Sequence, residues 1–290
     1  MTPRNSTTIF LTIFALIAFA ANSVLCRLAL GQGAIDAAAF TAIRITSGAA
    51  LLLSLFWLQN SKSRTESKSE ETHGSWLSAG MLFLYAAPFS FAYLTLDTGT
   101  GALILFGAVQ ITMILTALLQ GNKLHYLEWA GLITAFAGFV YLVLPGVSAP
   151  PLEGFLLMSL AGIGWGLYTV RGKGSKNPLA DTTFNFARAV PFAILLLVLA
   201  LKHMHVSTSG ILLAVASGAI ASGIGYTIWY MALRGLSTSQ AAVVQLSVPI
   251  IAAFGGVIFV AESITMRLVI ASILILGGIG LVVLGKNKHA

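Results

Sequence analysis

The sequence predicts an all-α integral membrane protein of ten transmembrane helices, arranged as two inverted five-helix repeats. Three observations predict it: a composition too apolar for water, ten apolar runs of bilayer length, and a correspondence of residue types between the halves. Of 290 residues, 57% are hydrophobic and 9% are charged. A soluble domain carries nearer a quarter charged residues and could not cover its surface with so few.

The apolar runs are 7–26, 36–58, 75–96, 100–120, 126–144, 152–170, 180–201, 209–233, 238–260 and 265–284. About 20 residues at 1.5 Å rise cross a 30 Å hydrocarbon core. The long hydrophilic interval, 59–74, holds Lys62, Arg64, Glu66, Lys68, Glu70 and Glu71 and reads as a solvated connector. Trp57, Trp76 and Trp129 fall at the ends of runs, where interfacial anchors belong.

The net charge of +7 would point to nucleic acid on a soluble protein. Here the basic residues lie in short loops, as topology signals do, so no nucleic-acid partner is expected. With a cytoplasmic N-terminus, one side collects Arg4, Lys62, Arg64, Lys68, Lys123, Arg171, Lys173, Lys176, Arg234, Lys286 and Lys288. The other collects Arg27, Lys202 and Arg267, while Arg44 and Arg188 fall inside runs. Eleven of sixteen against three places both termini in the cytoplasm of a multi-pass cell-membrane protein, the inner membrane if the source is bacterial. Ala18-Phe19-Ala20 resembles a signal-cleavage site, but the repeat treats the first run as an intact helix. Cys26 is the single cysteine, so an intrachain disulfide is excluded, and no zinc spacing is present.

A shift of 144 residues superimposes Arg27 on Arg171, Phe40 on Phe184 and Arg44 on Arg188. A shift of 137 superimposes Pro88 on Gly225, Phe89 on Tyr226, Ser90 on Thr227 and Tyr93 on Tyr230; a shift of 140 superimposes Gly138 on Gly278. The repeats are expected over 1–146 and 151–290. Five is odd, so the second copy enters the membrane from the opposite side, the arrangement behind many alternating-access transporters.

The segment Phe19-Ala20-Ala21-Asn22-Ser23-Val24-Leu25-Cys26-Arg27 resembles the opening helix of the drug/metabolite transporter superfamily, EamA type. Phe19 stands where that family often has Trp, while Asn22 and Arg27 match its pattern. Trp165, Tyr168 and Arg171 fit the second copy, as does Pro249 followed by Glu262. Asn122 departs from the family's usual Glu. The resemblance spans the chain and is fainter toward YddG-type amino-acid exporters. It implies secondary transport, with amino acids, aromatic ones included, as the leading substrate class.

Candidate binding residues follow from where inverted-repeat transporters place their sites, at interrupted helices between the repeats. Pro88 and Gly225 are the expected hinges, since proline removes a backbone donor and glycine loosens the chain. Beyond them lie Tyr93, and Tyr226, Trp229 and Tyr230 on one helical face. Trp165 and Tyr168 are three apart on the sixth run. Asn22, Gln110 and Gln245 are amides within apolar runs and need partners, from other helices or from a ligand. Helix packing and interfacial anchoring are the alternative roles for all nine. Arg44 and Arg188 are costly charges, about 2.5–3.5 kcal/mol each at a helix centre. They either tie helices or carboxylates together or snorkel to an interface.

No Asp, Glu or Lys falls at the middle of a run, which disfavours tight proton coupling, an aspartyl intramembrane protease and a retinal protein. HExxH and Walker-type loops are missing as well, so an enzyme is disfavoured and no cofactor or metal is expected. The expectation is therefore an exporter of small metabolites working by alternating access, with a small-molecule substrate and the lipid bilayer as partners and a monomer as the simplest assembly. Export of other organic compounds or drugs, or a non-transporting scaffold or sensor, are the alternatives.

Overall fold

The computed structural model describes residues 3–62, 73–121, 125–146, 149–172, 175–236 and 238–287. The core of the expected 59–74 connector, Asn122, and Arg64, Lys68, Lys123, Lys173 and Lys288 of the charge count lie outside the described residues.

Among the described residues, ten helical rods follow one another, with one isolated antiparallel bridge between Ile35 and Val206. They are α1 Pro3–Gly31, α2 Ala37–Lys62, α3 Trp76–Ala92, α4 Thr98–Leu119 and α5 Tyr126–Val143 in the first half. The second half has α6 Leu152–Gly172, α7 Pro178–Ala200, α8 Thr208–Leu233, α9 in two pieces (Thr238–Gln245 and Val248–Val260) and α10 Met266–Asn287. Seven are long and apolar enough to cross a membrane; Trp76–Ala92, Val248–Val260 and Met266–Val282 are shorter apolar helices. The protein is a multi-pass membrane protein. Large apolar side chains face outward along the rods, among them Phe10, Phe14, Leu119, Ile133, Leu199 and Phe259. In lipid an apolar face carries no penalty, and a helix satisfies its interior backbone groups within itself.

With no hydrophobic force between helices in hydrocarbon, close backbone contact holds them together. The α5–α10 crossing places Gly131 and Gly278 against each other, where a Cβ on either would sit 2.5 Å from the other's carbonyl oxygen. The α2–α8 crossing is tighter: a Cβ on Gly218 would sit 2.0 Å from the Arg44 carbonyl. A methyl at Gly218 would force backbone apart, at a cost of about 1–3 kcal/mol.

The principal pairings are α1 with α8 and α9, α2 with α7 and α8, α3 with α6 and α7, α4 with α6 and α9, and α5 with α10. The helices thus interleave across the halves, and the buried aromatic cluster lies between them.

Two rods depart from regular α winding. Residues Ala216–Ile224 of α8 are wound as a π-helix, and Gly225 resumes the α form. The sequence Ala-Ser-Gly-Ala-Ile-Ala-Ser-Gly has small side chains that resist no particular winding. In α9 the helix steps at Leu246 and Ser247, ahead of Pro249. By contrast α3 runs unbroken through Pro88. The irregular stretch in α8 therefore precedes the expected hinge at Gly225, and the expected break at Pro88 is an uninterrupted helix. Proline is accommodated there within a wholly packed turn, with Tyr85, Ala86, Ala87, Phe89 and Ser90 all buried.

Candidate functional site

Arg44 organises the centre. It is 2% exposed, eight residues into α2, and among the described residues no carboxylate touches it. Its Nη2 donates to the Tyr85 hydroxyl at 2.7 Å and the Tyr226 hydroxyl at 3.0 Å, and its Nε donates to Ser222 Oγ at 3.2 Å. Its guanidinium carbon lies 5.0 Å from the Tyr85 ring centroid and 4.8 Å from that of Phe89, within cation–π range. The remaining nitrogen, Nη1, has no partner.

A second amide-centred network joins the first. Asn22 Nδ2 donates to the Tyr85 hydroxyl at 3.0 Å, and Ser217 Oγ donates to Asn22 Oδ1. Ser217 and Ser222 both lie in the π-wound stretch. Five residues apart, they would diverge by about 140° on an α-helix. A π-helix bonds i to i+5, so there they are neighbours on successive turns. The local winding thus gives both serines to one buried polar cluster.

Around these polar groups, Phe19, Asn22, Tyr85, Phe89, Leu105, Phe106, Trp165 and Tyr226 line a central cavity of about 10 Å³. That is close to the space one water needs. Trp165 and Tyr226 approach to 4.5 Å between centroids, and Trp165 meets the Tyr85 ring at 5.1 Å.

A larger space opens beyond Trp165. Its stacked neighbour Tyr168, at 5.5 Å and 28°, lines a vestibule of about 260 Å³ with Ser78, Arg171, Ser175, Asp181, Asn185 and Tyr230. Asp181 accepts from Gly74 N at 3.0 Å and from Ser175 Oγ, and Arg171 donates to Ser78 Oγ at 3.3 Å. The Trp165–Tyr168 stack separates the two spaces.

The opposite end is held by ion pairs. Arg27 Nε donates to Glu262 Oε1 at 2.9 Å, Nη2 lies 3.4 Å from Asp97 Oδ1, and Nη1 donates to the Tyr93 carbonyl at 3.2 Å. Glu262 Oε2 accepts from Thr98 N at 2.8 Å and so caps α4, where the helix dipole favours a negative charge. A left-handed residue, Ala261 at φ 60°, turns the chain so that Glu262 faces inward. One arginine thereby ties α1 to the α3–α4 and α9–α10 junctions.

The expected site residues are thus distributed along an axis. Asn22, Trp165 and Tyr226 line the central cavity, and Tyr168 and Tyr230 line the vestibule. Trp229 packs on Phe19 at 5.6 Å, with Nε1 unpartnered, and Tyr93 packs on Phe89 at 4.8 Å, toward the Arg27 end. Gln110 and Gln245 are buried in α4 and α9; Gln245 Nε2 donates to the Ala241 carbonyl at 3.1 Å, beside the step in α9. Arg188, the sequence counterpart of Arg44, is half-buried and donates to the His73 carbonyl at 2.8 Å. The two arginines therefore do different work.

A family model described as the EamA-like transporter family matches residues 152–284. A protein of Pseudomonas aeruginosa, itself uncharacterized, is 48% identical over 98% of this chain and 96% of its own length. An uncharacterized transporter of Archaeoglobus fulgidus is 31% identical over 64% of this chain and 67% of its own length. The chain belongs to the EamA-like transporter family. A solved crystal structure with 21% identity covers 93% of this transporter and 97% of that chain at a TM-score of 0.60, sharing the fold. Membership of a transporter family implies transport without covalent chemistry.

Several of the transporter's central residues carry weak sequence signals. Tyr85, Phe106, Ser217 and Ser222 are common residue types in apolar or small-residue runs. Only the shift of 137 residues, which superimposes Tyr85 on Ser222, marks two of Arg44's partners as a corresponding pair.

At the Arg27 end, burial and then the neighbouring Glu262 charge raise the Asp97 carboxyl above its ordinary value, against the opposing pull of Arg27. Its ionised form is therefore disfavoured in the folded protein. The stability this gives is complete below the ordinary carboxylate pKa and is lost as pH rises through the raised one. Asp97→Asn should melt at or above the wild-type temperature at pH 7 in detergent, with the difference vanishing on acidification. A variant less stable than wild type at pH 7 would show that the Arg27 contact outweighs burial.

Proposed function

We propose that this transporter carries amino acids, aromatic ones included, out of the cell by alternating access, in the manner of YddG-type exporters. The observation that carries the reading is the axis just described: a polar vestibule, an aromatic stack, a central cavity and an ion-paired closure at the far end. Arg171 and Asp181 give the vestibule one group of each charge sign, suited to a zwitterion. Trp165, Tyr226, Phe19 and Phe106 give the central cavity the apolar walls that take a side chain, with Asn22 and tyrosine hydroxyls to orient it. The proposed binding residues remain Asn22, Tyr93, Gln110, Trp165, Tyr168, Tyr226, Trp229, Tyr230 and Gln245, with flexing centred on the α8 segment that ends at Gly225.

An inverted repeat of residues 1–146 and 151–290 supports alternating access. The principal helix pairings are unchanged when α1–α5 are exchanged for α6–α10. Two aspartates behave in parallel at opposite ends. Asp36, before α2, accepts from His205 N ahead of α8, and Asp181, early in α7, accepts from Gly74 N ahead of α3. Exchange of roles between the two halves then converts a conformation open at the vestibule into one open at the Arg27 end. The Arg27 closure breaks in that second state. With no carboxylate at the centre, transport runs down the substrate's own gradient.

Uptake of labelled phenylalanine, tryptophan and leucine into proteoliposomes, without an imposed proton or sodium gradient, tests this. Trp165→Ala and Tyr230→Ala, inserted at wild-type levels, should each weaken apparent affinity roughly tenfold, the loss of about 1–1.5 kcal/mol of ring contact. No amino-acid uptake, uptake only with an ion gradient, or unchanged kinetics in both variants would contradict it. We also place both termini and the vestibule in the cytoplasm, from the distribution of basic residues. Reporters fused after Asn60 and at the C-terminus should both read cytoplasmic, and a split or reversed reading would overturn that placement.

A further inference from the structure

We infer that the group Arg44 recognises is a substrate carboxylate, and that organic carboxylates lacking an amino group are ligands of the same central site. The inference rests on the central cavity proposed above and adds the chemistry it selects.

Arg44 is a permanent cation at 2% exposure, eight residues into a membrane-spanning helix. Its contacts are all neutral: two tyrosine hydroxyls, a serine hydroxyl and two aromatic faces. Buried charges are ordinarily paired, and a buried unpaired one is the costlier arrangement. The carboxylates of the described structure lie toward the ends of the rods, with Asp97 and Glu262 engaged by Arg27. The centre therefore holds a net positive charge with one nitrogen, Nη1, still unpartnered.

Three of the groups in contact with the guanidinium, Tyr85, Phe89 and Tyr226, are themselves walls of the central cavity. The cation sits immediately behind that wall. A carboxylate entering the cavity meets the tyrosine hydroxyls that Arg44 polarises, and a modest movement of either ring brings it to the guanidinium, whose fork matches two carboxylate oxygens. A substrate ammonium finds no charged partner: no described carboxylate lines the cavity, and Asn22 Oδ1, which accepts from Ser217, offers it one remaining neutral acceptor site. Recognition is thus one-sided, resting on the acid and the apolar body. The amino group contributes little.

The test uses the intact transporter in detergent and compares ligands that differ only at these groups. Competition against labelled phenylalanine, or thermal stabilisation where that amino acid gives no signal, is measured for phenylalanine, phenylalaninamide, 3-phenylpropionate and 3-phenylpropanamide. 3-Phenylpropionate should bind within about tenfold of phenylalanine or more tightly, and each amide at least about tenfold more weakly than its acid. Stabilisation by 3-phenylpropionate but not by phenylalanine would support this inference while overturning the amino-acid reading. Phenylalanine and phenylalaninamide binding equally well would overturn the inference and leave transport of amino acids standing. No preference of 3-phenylpropionate over its amide would also overturn it. Arg44→Gln should erase the acid-over-amide preference, with Arg44→Lys retaining part of it. If Arg44→Gln does not fold, Tyr85→Phe with Tyr226→Phe, which leaves the charge in place, should reduce but keep the preference. Loss of the preference in Arg171→Gln instead would place the carboxylate in the vestibule and overturn the assignment to Arg44.

Discussion

An arginine that cannot lose its charge lies buried eight residues into α2, and the centre of the molecule is arranged around it. Insertion scales put an arginine at about 2.5–3.5 kcal/mol at a helix centre and less toward an end. Two tyrosines from α3 and α8 and a serine from α8 turn their oxygens toward it, and the ring faces of Tyr85 and Phe89 cover it. Those contacts bring three helices from both halves to one point. The same tyrosines line the central cavity, so the residues that solvate the charge also shape the space proposed to bind substrate. Tight crossing of α2 and α8 at Gly218 is a consequence, because the Arg44 backbone itself lies against that glycine.

The rest of the axis follows from how charge is distributed at the two ends. Arg27 finds two carboxylates and a carbonyl and draws α1 and two junctions together. Arg171, its counterpart at the other end, meets a serine hydroxyl, and there the vestibule stands open at about 260 Å³. Two arginines with unequal partners make the two ends unequal. Between them the stacked Trp165–Tyr168 pair is a barrier built from dispersion, ring overlap and one hydrogen bond, from Asn185 Nδ2 to the Tyr168 hydroxyl at 3.3 Å, which a side-chain rotation can open without breaking an ion pair.

Much of the fold is legible in the sequence because bilayer length and apolar composition leave little freedom. The runs anticipate the ten rods, with the ends of α1 and α3 misplaced by several residues: charge and polarity at Arg4 and Asn5 do not stop α1, and α3 gives way to a turn after Ala92. The site is legible in part. Asn22, Trp165 and Tyr226 stand out as amide or large aromatic residues in apolar helices, and the structure gathers them. Tyr93, Gln110, Trp229 and Gln245 stand out for the same reason but lie away from the cavity lining, because polarity in an apolar run says that a partner is needed and not where it is. Local winding is illegible in residue types: small residues permit the π stretch of α8, and Pro88 does not break α3. The arginine pair shows the limit of a sequence shift. Arg44 and Arg188 coincide under a shift of 144 residues, yet Arg44 meets a tyrosine-lined interior and Arg188 a backbone carbonyl near a helix end.

The central claim is that substrate occupies the aromatic cavity with its acid group toward Arg44. A crystal structure of the transporter with 3-(4-bromophenyl)propionate, phased for bromine anomalous scattering, addresses it directly. The account predicts a bromine peak among Phe19, Phe106 and Trp165, with carboxylate density within hydrogen-bond reach of Arg44, Tyr85 or Tyr226. A bromine peak confined to the vestibule beside Arg171, or at the Arg27–Glu262 end, would contradict it.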